Sequence, residues 1–481
     1  MYVLDQYRGT SVSCRFVLPR SLVSQDSHSK LINTVQAAIV NTVLQNPVLQ
    51  VAILDANSKK PTWVQLENLD LNQHIEWQFL NHSVDFEDVL QETTVSQLDA
   101  TYPELEKRPG WKIVILRQLE TDILEILFTW NHPHCDGMSG KIFMECLFRN
   151  LNTKQNDDIR LVSDNVMRLP ESTPRLPPPI EELTKLPIEA PFALKSLWQE
   201  YRPQIFNRSL SQANWAPIRL SPYKTQFRLF SVDNATLAKV LTTCREHKTT
   251  LTGLLHGLIL VSFASHLQEN AAPAFESITA IDLRRFLSST TSYPWIQPKQ
   301  TMGNYVTISD HEFGTDLVKQ IRSKISSKMT NIGLPANLMD EVWSIALGVR
   351  KDIEHKLEIG LKNDIVGLMR FVGDWLVEMR NMARRPRKHS WFVTNLGVFD
   401  GSPNMNDELS VDKDEAWFVR RAQFVNSAET TSAALIISTM TVAGGQLCVG
   451  GSWQDCIFDV SLGESIMADL KRWLVQIGTQ S

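Results

Sequence analysis

An apolar run, Ile123-Leu124-Glu125-Ile126-Leu127-Phe128-Thr129-Trp130, passes directly into a polar decapeptide, Asn131-His132-Pro133-His134-Cys135-Asp136-Gly137-Met138-Ser139-Gly140. The run has no Gly or Pro and is rich in β-favouring side chains, so it predicts a buried strand. Beyond the decapeptide, Ile142, Phe143, Cys146 and Leu147 recur at helical spacing and predict a helix starting near Met138. The decapeptide is therefore a strand-to-helix turn, from which side chains leave the sheet edge and face a cleft. A chain built on this succession folds as a mixed α/β protein.

The turn supports two chemical readings. In the first, His132 and Asp136 form an H-x-x-x-D pair closed by Gly137. A histidine near its neutral pKa removes a proton from a nucleophile. The aspartate turns inward and pins the turn through a distant arginine, and Gly137 lets the backbone bend with no Cβ in the way. In the second, His132, His134 and Asp136 form an H-x-H-x-D metal cluster of a hydrolase, since alternate residues of an extended segment share a face. Against the second stands Gly137, where a dinuclear zinc pattern wants histidine. A turn whose histidines only satisfy local hydrogen bonds remains a third possibility.

The rest of the chain supplies strands and helices on both sides of this turn. Strands are expected at 11–18, 48–54, 111–116, 226–232, 277–286, 390–399, 431–438 and 445–452. Helices are expected from the periodic Leu31, Val35, Ala38, Ile39 and Val43, at 253–266 behind a Thr250 cap, at 316–330, 338–349 and 363–379, and at 466–476. Glu120-Thr121-Asp122 makes the strands at 111–116 and 123–130 a hairpin that delivers the chain to His132. His256 lies on its helix among Leu, Ile and Val and reads as a packed histidine. Seven prolines between Leu169 and Pro191 break regular structure. They read either as a long surface loop or as a crossover linker (169–215) between an N-terminal half (1–168) and a C-terminal half (216–481), for which a segment near 394–430 that crosses back is an expectation.

Net charge −5 gives no basic surplus for nucleic acid. Met1 to Arg8 shows no basic stretch leading into an apolar core, and no uncharged apolar run is long enough to span a bilayer. The six cysteines are scattered without C-x-x-C spacing, as in reduced core thiols of a cytoplasmic protein.

The His132–Gly137 turn resembles the H-x-x-x-D-G superfamily of coenzyme-A-dependent acyltransferases. Three further segments extend the resemblance. Asp282-Leu283-Arg284-Arg285 is similar to the family's D-x-R segment, Met302-Gly303-Asn304-Tyr305 to its L-G-N-F/Y stretch, and Thr394-Asn395-Leu396-Gly397 to the S/T-N-L-G segment of the fungal and yeast alcohol acetyltransferases. The plant branch carries D-F-G-W-G, which this chain lacks. The resemblance implies two chloramphenicol-acetyltransferase-like halves, each a mixed sheet covered by helices, with a channel between them. It implies an O-acyltransferase moving acetyl from acetyl-CoA, a co-substrate, to a small hydrophobic alcohol, with no permanently bound cofactor and no metal. His132 would be the general base. Arg284, with Arg285 second, would reach Asp136. Ser139, Thr394 and Asn395 are candidates for the oxyanion or channel. The basic run Arg384-Arg385-Pro386-Arg387-Lys388 is either a solvated loop or a site for the CoA phosphates. A monomer acting on a terpenoid or polyketide alcohol is expected, and a condensation-type domain acting on carrier-bound thioesters is the alternative.

Overall fold

The structure is a computed structural model that describes residues 1–154, 162–171, 175–201, 209–288, 292–325, 333–403 and 412–480. In chain order its strands are β1 (Gly9–Val17), β2 (Val51–Leu54), β3 (Thr62–Gln65), β4 (Asn68–Asp70), β5 (Ile75–Leu80), β6 (Trp111–Gln118), β7 (Ile123–Asn131), β8 (Val162–Ser163), β9 (Val166–Arg168), β10 (Thr225–Val232), β11 (Phe275–Asp282), β12 (Val306–Phe313), β13 (Trp391–Phe399), β14 (Phe418–Asn426), β15 (Leu435–Val442) and β16 (Leu447–Gln454). The helices used below are α1 (His28–Gln45), α2 (Phe86–Leu98), α3 (Gly137–Leu151), α4 (Ile180–Leu183), α5 (Ala190–Tyr201), α6 (Asn234–Glu246) and α7 (Leu251–His266).

Two large sheets carry the molecule. The N-terminal sheet runs β14-β1-β7-β6-β5, and the C-terminal sheet β10-β16-β15-β13-β11-β12. Alternation along β1 explains its central place. Val12, Cys14 and Phe16 enter a core packed under α1 and α3, while Ser13 and Arg15 turn to the opposite face and bond to buried Glu125 of β7, each at 2.9 Å. In the C-terminal half α7 is apolar all round and is buried along most of its length between the sheet and the helix Ala336–Ile359, the pattern of a core helix. Thr250 caps it, accepting from Gly253 N at 3.2 Å.

One strand joins the halves. β14 follows the C-terminal strands in sequence but pairs antiparallel with β1 in the N-terminal sheet, Thr10 opposite Asn426 and Ser13 opposite Gln423. It was not expected from sequence, because Arg420, Arg421 and Gln423 interrupt its apolar pattern. Arg421 is buried there, paired with Glu125 at 3.0 Å and Glu87 of α2 at 2.7 Å. β14 falls within the segment near 394–430, of which residues 404–411 lie outside the described residues.

Several expected elements differ. Pro47 opens a 3-10 turn (Pro47–Gln50), so the strand foreseen from residue 48 begins at Val51. The Pro-rich crossover holds helices α4 and α5, because Pro179 precedes α4 and a proline tolerates the position before a helix; its residues 172–174 and 202–208 lie outside the described residues. The helix foreseen at 363–379 is broken into Ile365–Leu368, a 3-10 turn Met369–Phe371 and Trp375–Met382, recapped by Asp374. The strand foreseen at 431–438 starts at Leu435. The helix foreseen at 316–330 is seen at Thr315–Lys324, and residues 326–330 lie outside the described residues. Among the described residues no helix is long and apolar enough to cross a membrane.

Candidate active site

β7 ends at Asn131 and α3 begins at Gly137, so the decapeptide turn spans the gap between them. Asp136 is the N-cap of α3 and accepts from Ser139 N at 2.9 Å, which satisfies one of the helix's free amides. The same carboxylate takes a two-pronged contact from the C-terminal half: Arg284 Nη1 donates to Oδ2 at 2.8 Å and Nη2 to Oδ1 at 3.1 Å. Tyr305 N also donates to it at 2.8 Å, and the Ser139 hydroxyl at 2.8 Å. The guanidinium's other hydrogens reach Thr301 O, Gly303 O and Asp282 Oδ1, each at 3.0 Å. The side chains of Arg284 and Asp136 are only 2% and 4% exposed. A buried ion pair is tolerable only when every lone pair and proton is matched in this way.

The charge state follows. Burial opposes ionisation of Asp136, but the Arg284 guanidinium and the amides of Tyr305 and Ser139 outweigh it and hold the carboxyl below its usual range. Arg284, pushed the other way by burial, is raised by Asp136. The Asp136 oxygens are thus committed to structure, and the carboxylate acts on His132 only through space.

His132 is half-buried. Burial lowers its pKa below the ordinary value, while the Asp136 charge and the ring's interaction with its own main-chain carbonyl pull upward. The Tyr7 ring packs 5.2 Å away, centre to centre, and the Tyr7 hydroxyl donates to Asn426 Oδ1 at 2.8 Å. Nothing in the sequence marked Tyr7, since an aromatic before the first strand carries no local signature. Gly137 has a packing reason as well: a Cβ there would stand 2.7 Å from Phe424 Cζ.

His134 points elsewhere. Its Nδ1 lies 2.5 Å from Asn131 Oδ1, its Nε2 faces Gly110 N and the Val51 carbonyl, and burial lowers its pKa to about 4. With Asp136 saturated by other partners, the three residues of the H-x-H-x-D reading do not converge on one point. Among the described residues, the one grouping with metal-like spacing is Glu276 of β11, Asp310 of β12 and His389, which precedes β13.

The remaining candidates divide. Ser139, read as an oxyanion donor, is fully buried, and its hydroxyl is spent on Asp136 and Gly303. Asn395 accepts from Gly397 N at 2.8 Å and reaches Thr252 of α7 at 3.3 Å, holding a bulge where Gly397 has φ +72°. Thr394 beside it is buried, and among the described residues its hydroxyl has no hydrogen bond. In the basic run, Arg387 is buried and donates to the carbonyls of Ala216, Thr430 and Ser432, so it is a structural residue and not open to phosphate. Arg385 pairs with Glu378 at 3.3 Å and Lys388 with Asp310 at 2.6 Å, while Arg384 is exposed. His256 is a core residue, bonded to Ser277, Thr279 and Trp391.

Three kinds of likeness accompany this geometry. Residues 33–370 match the alcohol acetyltransferase family model. "Probable alcohol acetyltransferase FCK4" of Fusarium pseudograminearum is 26% identical over 460 residues, covering 93% of this chain and 86% of that protein. Among solved structures, the TRI3 trichothecene 15-O-acetyltransferase of Fusarium sporotrichioides superposes with a TM-score of 0.71 at 13% identity, over 98% of this chain and 91% of that one. The condensation domain of the Monacolin K polyketide synthase MokA superposes with a TM-score of 0.58 at 8% identity, over 100% and 94%. Both structures share the fold.

Proposed function

The chain belongs to the alcohol acetyltransferase family, and from that premise we propose that it transfers acetyl from acetyl-CoA to a hydroxyl of a hydrophobic specialised metabolite, with His132 as general base. The observation carrying this reading is the division of labour in the turn. Asp136 is consumed by Arg284, Tyr305 and Ser139, and His134 by Asn131, which leaves the half-buried imidazole of His132 as the histidine of the turn that bonds to no neighbouring side chain among the described residues. Because burial lowers its pKa, the ring is neutral near pH 7 and able to accept a proton.

The acceptor oxygen attacks the thioester carbonyl as its proton passes to His132. The tetrahedral intermediate then collapses, the carbon–sulfur bond breaks, and the proton returns from the imidazolium to the CoA thiolate. No acyl-enzyme is required. Thr394 is the remaining candidate for stabilising the oxyanion, its hydroxyl being uncommitted. Arg384 is the member of the basic run best placed to meet CoA phosphates, being exposed. A cytoplasmic location goes with the free cysteines.

A bound base contributes roughly 10²–10⁴-fold to such a step. His132→Ala is therefore expected to lose at least a hundredfold in kcat, read by thiol release from acetyl-CoA with a panel of hydrophobic alcohols, while still binding CoA. Wild-type turnover in that variant would refute the assignment.

A further inference from the structure

The His132 main chain is held from the C-terminal half of the chain. Asn304, in the loop that leads into β12, extends its amide toward the catalytic turn. Its Nδ2 donates to the His132 carbonyl at 3.0 Å and to the Pro133 carbonyl at 3.2 Å. The neighbours of Asn304 serve the other end of the same turn. Gly303 O accepts from Asp136 N at 3.3 Å, and Tyr305 N donates to the Asp136 carboxylate. Three consecutive residues of the C-terminal half thus clasp both ends of the pentapeptide His132–Asp136. Gly303 and Tyr305 bind buried partners, and their work is structural. Asn304 is exposed, so its bonds add little to folding, yet one of them falls on the carbonyl with which the His132 ring itself interacts.

We propose that Asn304 is a positioning residue for catalysis, which sets the orientation of the His132 imidazole by fixing the His132 and Pro133 carbonyls. The carbonyl that Asn304 holds belongs to the residue that carries the ring. With that oxygen anchored, one ring nitrogen stays directed at it and the other is left for the acceptor proton. Without the anchor the peptide plane is free to turn, and the ring turns with it. A displacement of the reacting atoms by about 1 Å costs on the order of a hundredfold in rate. The charged groups acting on His132 are the Asp136 carboxylate, already bound by Arg284, which favours the imidazolium, and the amino group of Met1, which opposes it. Asn304 itself adds donors and no charge.

This inference rests on His132 being the base, and the experiment separates the two. Asn304→Ala removes both donors. Asn304→Asp keeps the shape, removes the donors and sets a carboxylate beside the turn. Both are compared with wild type and with His132→Ala for kcat, KM for acetyl-CoA, thermal midpoint, and the pH dependence of kcat/KM. The expected result is a loss of ten- to a hundredfold in kcat for both variants, with KM within twofold and the melting midpoint unmoved. In Asn304→Asp the acid limb should also move to higher pH, because a nearby anion favours the imidazolium. In Asn304→Ala it should stay. A structural loop residue would lower the midpoint or raise KM and leave the two pH profiles alike, which would overturn the proposal. Wild-type kcat in both Asn304 variants with an inactive His132→Ala would also overturn it, leaving the base intact. An active His132→Ala would instead remove the base itself.

Discussion

Replacing Arg284 by Ala tests the structural logic of the site most sharply. The substitution strips the buried Asp136 carboxylate of two donated bonds and of its counter-charge, and it leaves the Thr301 and Gly303 carbonyls without their guanidinium donor. Breaking a buried pair from one side costs about 3–5 kcal/mol. Tyr305 N, Ser139 N and the Ser139 hydroxyl remain on the carboxylate, so the loss lies below what a bare charge would incur. Asp136→Asn should cost less, about 3 kcal/mol, since Arg284 keeps the partly exposed Asp282 at 3.0 Å. Each figure corresponds to roughly a hundredfold or more in the folding equilibrium, at about 1.4 kcal/mol per decade.

The Arg284→Ala deficit should also depend on pH. In wild type the folded Asp136 pKa is depressed, so its stabilisation is fully present above the unfolded value of about 3.9 and is lost as pH falls through the lower folded value. In Arg284→Ala burial is no longer outweighed and the folded pKa rises. The variant then binds a proton on folding as pH falls, and its deficit narrows between pH 7 and 5. Urea unfolding followed by tryptophan fluorescence at pH 7, 6 and 5 reads this directly. A deficit under about 1 kcal/mol at pH 7, the range of an exposed pair, or one that stays constant down to pH 5, would refute the argument.

Other outcomes follow from the same geometry. Because burial lowers the His132 pKa, the acid limb of kcat/KM should lie below pH 6.5, with a plateau at neutrality, and a limb above pH 7 in a pH–rate profile would contradict the base assignment. Gly137→Ala brings a Cβ to 2.7 Å from Phe424 Cζ and 3.4 Å from Leu396 Cδ2; overpacking costs about 1–3 kcal/mol against at most about 1 kcal/mol gained in helix propensity, so thermal melting should show net destabilisation. Chelation should leave turnover unchanged, since His134 and Asp136 are committed to other partners, and a loss of activity restored by zinc would reopen the metal reading.

Local signals were legible in the sequence and long-range ones were not. The strand into His132 and the helix after Gly137 followed from composition and spacing, because each buries its apolar residues within its own segment. The partners of Ser139 were not legible for the opposite reason. Three residues after an N-cap aspartate, its amide is the natural capping donor, and its hydroxyl follows the amide to the same carboxylate. Arg387 looked like part of a solvated basic run, yet three carbonyls from residues 216, 430 and 432 close over it. No local pattern announces carbonyls that arrive from so far along the chain. β14 escaped for a related reason: Arg421 reads as a surface charge until Glu125, nearly 300 residues earlier, is seen beneath it.

The contacts that defeat local reading are also the ones that assemble the site. The strand carrying His132 belongs to the first half, and almost everything that holds its turn comes from the second: Arg284, Gly303, Tyr305, and Phe424 of the crossing strand against Gly137. The proposed base must be rigid relative to both substrates, and a turn tethered only to its own sheet would move with one half alone. Tying Asp136 to the opposite half fixes the turn to both halves at once. On that argument, substitutions at the Asp136–Arg284 pair should reduce turnover even in molecules that remain folded, because they release the turn that carries the imidazole from the second half before they unfold the first.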